Sequence, residues 1–133
     1  MPIKIDHIAV AVTDMDTALS FWRDALGLKF GGIENVLAEE AEVAFLETEN
    51  AHIELVRPTT EDSGIARHIA RKGAGMHHIC LAVDDINAAM QHIAAAGFEL
   101  INETPRVRAN GTRYAFVHPK STGGVLVELY QPA

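Results

Sequence analysis

The sequence predicts an α+β fold built from two tandem βαβββ modules. The two halves of the chain repeat one another, and each half opens with an alternating strand pattern that runs into a helical one. A length of 133 residues suits one compact domain, or two small modules that share a core. We predict a single domain over 1–133, in which module one covers about 1–58, a connecting helix about 61–73 and module two about 75–133.

The repeat is visible in two segments, "IDHIAVAVTDMD" at 5–16 and "GMHHICLAVDD" at 75–85. One alignment register with few gaps extends over about fifty positions, which indicates an internal duplication. The alternative is a pair of unrelated strand–helix units whose patterns happen to agree. The matched residues include His7 with His78, Asp14 with Asp85, Phe45 with Phe116, and Glu54 with Glu128.

Module one begins with alternating apolar residues that predict a strand at about 3–12. A helix is expected to start after Asp14 or Asp16, because a carboxylate can cap the first free N–H groups of a helix. Gly27 is typical of a helix end. The predicted apolar stripe of this helix consists of Ala18, Leu19, Trp22, Ala25 and Leu26.

Module two repeats these signals, with a strand at about 76–83, a helix start after Asp84 or Asp85 and a helix end at Gly97. The dipeptide Asn110-Gly111 predicts a hairpin turn before a strand at 112–118. The helical stripe of this module consists of Ile86, Ala89, Met90 and Ile93.

The segment between the modules, "EDSGIARHIARKGAG", predicts a connecting helix that is capped by Ser63 and ends near Gly73. Each module then reads as a strand, a helix and three further strands. Neither module could bury the face of its own sheet alone, so the two are expected to fold together.

Strand alternation places each repeated histidine on the sheet face that points away from the helix. Large apolar residues occupy the helix face of both first strands, whereas small residues accompany the histidines. Small side chains beside a polar one predict a cavity rather than a packed core. The two sets are His7, Ala9 and Ala11 in module one, and His78, Cys80 and Ala82 in module two.

A glutamate lies in the middle of the last strand of each module, at Glu54 and Glu128. A carboxylate among apolar residues is costly unless it is paired or bound to a metal. A lone histidine is more often a core or rim residue, and a lone glutamate is usually an exposed edge residue. Two pairs in matching register favour a shared octahedral site for Co, Ni, Mn, Fe or Zn, with ligands from His7, Glu54, His78 and Glu128.

Other polar candidates lack support from the repeat. His77 faces away from His78 and is interpreted as structural, or as a partner of a ligand. Cys80 shares the predicted cavity face, where it is either a substrate contact or a small buried filler. Surface or rim positions are expected for the remaining histidines, which are His52, His68, His92 and His118.

The overall charge of −7 argues against nucleic acid as a partner, because nucleic acid binding needs a basic face. No apolar run approaches the roughly 18 residues of a membrane span. The single cysteine cannot form an internal disulfide, which fits a reducing, cytoplasmic setting. A small molecule is therefore the expected partner.

Three segments resemble the vicinal oxygen chelate superfamily and, within it, the methylmalonyl-CoA epimerase family. The resemblance covers nearly the whole chain, and its most specific parts are "ELVRP", "SGIA", "GMHHI" and "HPKSTGGVLVEL". It implies mixed sheets that curl into a cup-shaped metal site, one divalent metal such as cobalt, an acyl-CoA substrate and a homodimer. The ligands of the family fall on His7, Glu54, His78 and Glu128.

The resemblance also implies metal-assisted epimerisation at C2 through an enolate, with two bases that act on opposite faces of the substrate. Glu128 is expected to be one base, and Glu54 or Glu42 the other. Some family members carry a further catalytic Glu in the preceding strand, where this chain has Val43; a one-residue bulge would let Glu42 take that place. Lys120 is either a contact to a phosphate of CoA or a solvated loop lysine.

Three alternatives belong to other classes of protein. Glyoxalase I shares the cup, the metal and the enediolate chemistry. A thiol transferase that acts on an antibiotic epoxide is a weaker enzymatic alternative. A metal-free binding protein, such as a drug-sequestering relative, has typically lost the ligands, whereas this chain retains all of them.

Overall fold

The computed structural model of the protein describes residues 2–133. The chain divides into two compact units. We call His7–His77 the N-terminal unit, and the segment ending at Asp6 together with His78–Ala133 the C-terminal unit. Among the described residues, no helix is both long and apolar enough to cross a membrane.

The N-terminal unit contains a mixed sheet whose strands lie in the order β2, β3, β4, β1. β4 pairs antiparallel with β3 and parallel with the His7–Ala11 part of β1. The bounds of the elements that begin in or enter this unit are β1 Ile3–Ala11, α1 Met15–Leu19, β2 Lys29–Val36, β3 Ala41–Glu47, β4 His52–Pro58 and α2 Gly64–Lys72.

The C-terminal unit repeats this topology, with strands in the order β5, β8, β7, β6. β8 pairs parallel with β5 and antiparallel with β7. The elements are β5 Gly75–Val83, α3 Ile86–Ala95, β6 Arg106–Val107, β7 Arg113–Val117 and β8 Leu126–Gln131. The predicted α+β class, with a βαβββ order in each half and mixed sheets, is confirmed.

Helix starts follow the predicted capping chemistry. The side chains of Asp14 and Asp85 accept hydrogen bonds from the backbone N–H groups of Thr17 and Ala88, each at 3.0 Å. Ser63 caps α2 in the same way, through the N–H of Ala66. The structure therefore selects Asp14 over Asp16, and Asp85 over Asp84.

The end of the first helix differs from the prediction. α1 continues as a π-helical segment over Ser20–Ala25, and the N–H of Leu26 donates to the carbonyl of Phe21, five residues earlier. The wider π turn rotates the last residues away from a stripe drawn at the α-helical period. Ala25 and Leu26 are consequently exposed, whereas Leu19 is buried.

Each sheet packs its helix-facing side into an apolar cluster. In the N-terminal unit this cluster contains Leu19 of α1 and Leu55 of β4. In the C-terminal unit it contains Met90 of α3 and Leu129 of β8. The strand alternation predicted for the first and last strands of both modules is confirmed by the membership of these clusters.

The opposite face of the N-terminal sheet is partly filled, which corrects the prediction of an open cavity beside the small residues. Ala9 is fully buried in a cluster with Val43 and Val56, and Ile65 of α2 packs against that cluster. The small side chain of Ala9 thus leaves room on this face for the connecting helix. The polar end of the same face holds His7.

Candidate metal and catalytic site

The N-terminal unit brings its predicted histidine and glutamate together. Parallel pairing of β1 with β4 sets His7 beside His52 and Ala9 beside Glu54. The Nδ1 atom of His7 lies 3.1 Å from Oε2 of Glu54, and the His7 residue is only 8% exposed. The Glu54 side chain is 16% exposed, and its close nitrogen partner avoids the cost of a largely buried, unpaired charge.

His52 is a third member of this group, and its side chain, 31% exposed, lies at the rim as expected while it also contacts Glu54. Its Nε2 lies 2.9 Å from Oε2 of Glu54, and its ring centroid is 5.1 Å from that of His7. His7, His52 and Glu54 each offer a possible ligand atom within 4.8 Å of the others. The repeat could not reveal His52, since the matching place in module two is Leu126. Its position two residues before Glu54, and hence on the same face, was the available signal.

The C-terminal unit contains the matching pair. Register between β5 and β8 places Cys80 opposite Glu128 and brings His78 close to the carboxylate. Nε2 of His78 lies 3.1 Å from Oε1 of Glu128. The exposed fractions are 9% for His78 and 2% for Glu128, so this pair is almost wholly removed from water.

Arg108 is the third partner of the C-terminal pair, and the sequence prediction missed it. Its Nη2 donates to Oε2 of Glu128 at 3.3 Å, and its Cζ lies 3.7 Å from the centroid of the Tyr114 ring. Arg108 stands just before the Asn110-Gly111 turn, outside the aligned repeat. Only the closure of the hairpin brings it to the carboxylate.

Both pairs have distances suited to a divalent transition metal. Two ligand atoms that lie about 2.1 Å from an ion and at right angles to each other are about 3.0 Å apart. The nitrogen-to-oxygen distances in the two units, 3.1 Å in each, match that spacing. Imidazole nitrogen and carboxylate oxygen are also the donors such ions accept. The residues present therefore fit a divalent metal.

Glu42 does not reach the face that holds Glu54. The pairing of β3 with β4 runs without a shift from Ala41 to Glu47, so the bulge that would turn Glu42 toward that face is not formed there. Oε1 of Glu42 instead accepts from Nε of Arg57 at 3.2 Å. Alternation leaves Val43, rather than Glu42, on the face of Glu54.

The two predicted substrate contacts occupy different environments. Cys80 is fully buried, which favours the filler role, and a possible ligand atom of Glu128 lies within 4.8 Å of its sulfur. Lys120 is exposed, and its Nζ lies 3.1 Å from a carboxylate oxygen of Glu99. Lys120, unlike Cys80, lines an open pocket of about 590 Å³ beside the short helical turn at Pro119–Ser121.

His77 packs against the connecting helix, in agreement with a structural role. Its ring centroid is 4.7 Å from that of His68 on α2, in an edge-to-face arrangement. Burial lowers the pKa of His68 from its ordinary value of 6.5, and the nearby charges of Lys72 and Arg71 lower it further. The histidine is therefore favoured in its neutral form.

We expect His68 to make the free energy of unfolding depend on pH. Because the folded-state pKa is below the unfolded value, the stabilisation is complete above about pH 6.5 and is lost as the pH falls through the lower folded value. The free energies of unfolding of wild type and His68→Gln, measured with urea at a series of pH values above and below 6.5, should converge as the pH falls. His92→Gln, on the exposed side of α3, is the matched control, and equal slopes for all three proteins would contradict the prediction.

The profile of the Glyoxalase/Bleomycin resistance protein/Dioxygenase superfamily matches residues 6–116. The chain belongs to this superfamily. The resemblance drawn from "ELVRP", "GMHHI" and "HPKSTGGVLVEL" is thereby confirmed at the level of the superfamily, and relatives refine it.

Three proteins similar to this chain have methylmalonyl-CoA epimerase in their names. Mitochondrial methylmalonyl-CoA epimerase of Mus musculus is 36% identical over 129 residues, covering 96% of this chain and 72% of that protein. Ethylmalonyl-CoA/methylmalonyl-CoA epimerase of Cereibacter sphaeroides is 36% identical over 130 residues, covering 96% and 97%. A methylmalonyl-CoA epimerase structure with methylmalonyl-CoA and ammonium has a TM-score of 0.88 at 31% identity, covering 100% and 96%.

Proposed function

We propose that this protein is a racemase/epimerase that inverts methylmalonyl-CoA at C2 by removing a proton and returning one through an enolate. The observation that carries the proposal is the duplicated His–Glu pair, held at 3.1 Å in each unit of a chain similar to named epimerases. Proton exchange on two faces of one carbon needs two bases, and a duplicated module supplies two carboxylates.

We propose His7, Glu54, His78 and Glu128 as the ligands of one divalent metal, in the cup that the family resemblance implies. The ion is Co, Ni, Mn, Fe or Zn, with cobalt as the first choice. When bound, it supplies Lewis acid stabilisation to the developing negative charge of the enolate. The nitrogen and oxygen donors and their spacing support this assignment.

Glu128 is our first candidate for a base, because its carboxylate is deeply buried and held from two sides by His78 and Arg108. That support fixes the direction of its oxygens and excludes water from them. Glu54 is the second candidate, oriented by His7 and His52. Glu42 is the weaker alternative, since its carboxylate binds Arg57 on the other face of the strand.

The proposal is tested by deuterium uptake at C2 of methylmalonyl-CoA, run beside turnover of the hemithioacetal substrate of glyoxalase I on the same metal-loaded protein. We expect rapid exchange with the thioester and none above background with the hemithioacetal. The reverse result would replace the epimerase proposal with the glyoxalase alternative. A protein that binds but transforms neither substrate would support a binding role.

His52 is expected to position Glu54, since its Nε2 lies 2.9 Å from the carboxylate. His52→Ala should lower metal affinity about tenfold, the scale at which partners of ligands usually act. Titration with Co²⁺, followed by its visible absorption, measures the change. His92→Ala removes an exposed histidine and should leave affinity unchanged; equal affinities for wild type and His52→Ala would contradict the role.

We also propose a homodimer in the cytoplasm. The family resemblance supports the dimer, and the absence of any cysteine besides Cys80 supports a reducing compartment. Sedimentation of the purified protein would distinguish a dimer from a monomer directly.

Lys120 has two expected roles, a contact to a phosphate of CoA and a solvated loop lysine. Its pairing with Glu99 favours the solvated loop lysine.

A further inference from the structure

The two oxygens of Glu128 have different partners within the C-terminal unit. Oε1 lies 3.1 Å from Nε2 of His78, whereas Oε2 lies 3.3 Å from Nη2 of Arg108. A metal bound by His78 and Glu128 would use the first oxygen. The guanidinium of Arg108 therefore contacts the oxygen that this metal would leave unused.

Arg108 is held in place by its surroundings. Its backbone N–H donates to the carbonyl of Thr112 at 2.8 Å, and its carbonyl accepts from the N–H of Gly111 at 2.9 Å. The guanidinium lies over the ring of Tyr114, where the negative face of the ring attracts the positive charge. Its side chain nevertheless retains 33% exposure, so the guanidinium is supported but accessible.

We propose that Arg108 recognises the free carboxylate of the substrate's acyl group. This inference rests on the proposed function, which supplies the substrate class: a malonyl-type thioester that differs from a simple acyl-CoA by one carboxylate. A guanidinium carries five N–H donors in a planar fork, which matches the two oxygens of a carboxylate. Arg108 is thereby a determinant of substrate specificity, beside the ligand Glu128 rather than within the ligand set.

The proposal predicts a loss of selectivity rather than a general loss of binding. Calorimetry should compare methylmalonyl-CoA with propionyl-CoA, which lacks the carboxylate, on metal-loaded wild type, Arg108→Met and Arg108→Lys. We expect Arg108→Met to reduce the preference for methylmalonyl-CoA by about 10–100-fold, the usual scale for a hydrogen bond to a charged group. Propionyl-CoA should bind all three proteins equally, and Arg108→Lys should recover part of the preference.

Arg113→Met is the matched control, because it removes the same charge from β7 at a position that alternates with Tyr114 and faces the other side of the sheet. It should keep the wild-type preference. Equal weakening of both ligands by Arg108→Met would mean that Arg108 acts through Glu128 or the fold, and no change would mean that it does not contact substrate; either result overturns the inference.

The same measurements separate this inference from the proposed function. If the wild-type protein prefers methylmalonyl-CoA through Arg108 but exchanges no deuterium at C2, the epimerase proposal is wrong and the recognition role of Arg108 stands. If deuterium exchanges normally while Arg108→Met keeps full selectivity, the recognition role is wrong and the epimerase proposal stands.

Discussion

Replacement of Glu128 by Gln is expected to keep the fold while turnover falls by on the order of a hundredfold or more, the scale of a missing general base. An amide is close to isosteric with the carboxylate, and its oxygen can still coordinate a metal. It cannot accept a proton at useful pH. Circular dichroism and a Co²⁺ titration would establish the fold and the retained metal, and initial rates of epimerisation would give the loss.

The residual exchange should differ between the two epimers. The hydrogen that Glu128 removes should stop exchanging, while the opposite base still acts on the other epimer. Deuterium wash-in started separately from each epimer measures this difference. Glu103→Gln, at an exposed position of the same unit, is the control and should behave as wild type. Equal slowing of both epimers, in proportion to lost metal, would make Glu128 a ligand only.

Removal of either repeated histidine is expected to abolish tight metal binding. His7→Ala and His78→Ala each delete one nitrogen donor, so the loss should exceed the roughly 10–100-fold that follows removal of a ligand's partner. Chelator-treated wild type should be inactive and should recover with Co²⁺ or a similar ion, whereas neither variant should recover at the same concentration. Equilibrium dialysis and activity after reconstitution measure both effects.

The matched control is His92→Ala, which removes an exposed histidine of α3 and should retain metal and activity. Full activity of the wild-type protein with no detectable metal would contradict the metal proposal. Loss of metal from only one of the two ligand variants would restrict the binding site to a single unit.

The sequence predicted the architecture because its strongest signals are local. Alternation assigns each strand residue to a face, and the caps Asp14, Ser63 and Asp85 mark helix starts with side chains that reach only three residues along the chain. The duplication then added a relation between distant segments. It identified the His–Glu pairs that the structure brings to 3.1 Å within each unit.

Contacts that depend on a particular neighbour were decided by the tertiary structure. His52 and Arg108 contact the paired glutamates, although neither has a counterpart in the repeat. Glu42 binds Arg57 because the β3–β4 register continues without a bulge. Long side chains can point to several partners, and the register of adjacent strands selects among them.

The sequence by itself thus determined the faces, the element order and the repeated donors of this protein. Tertiary structure decided what covers each face and which third group supports each donor. Ala9 illustrates the difference: alternation correctly separated it from the helix face, but only the folded chain places Ile65 of the connecting helix against its cluster. A residue's face is set by its own backbone, whereas its surroundings depend on segments far away in the chain.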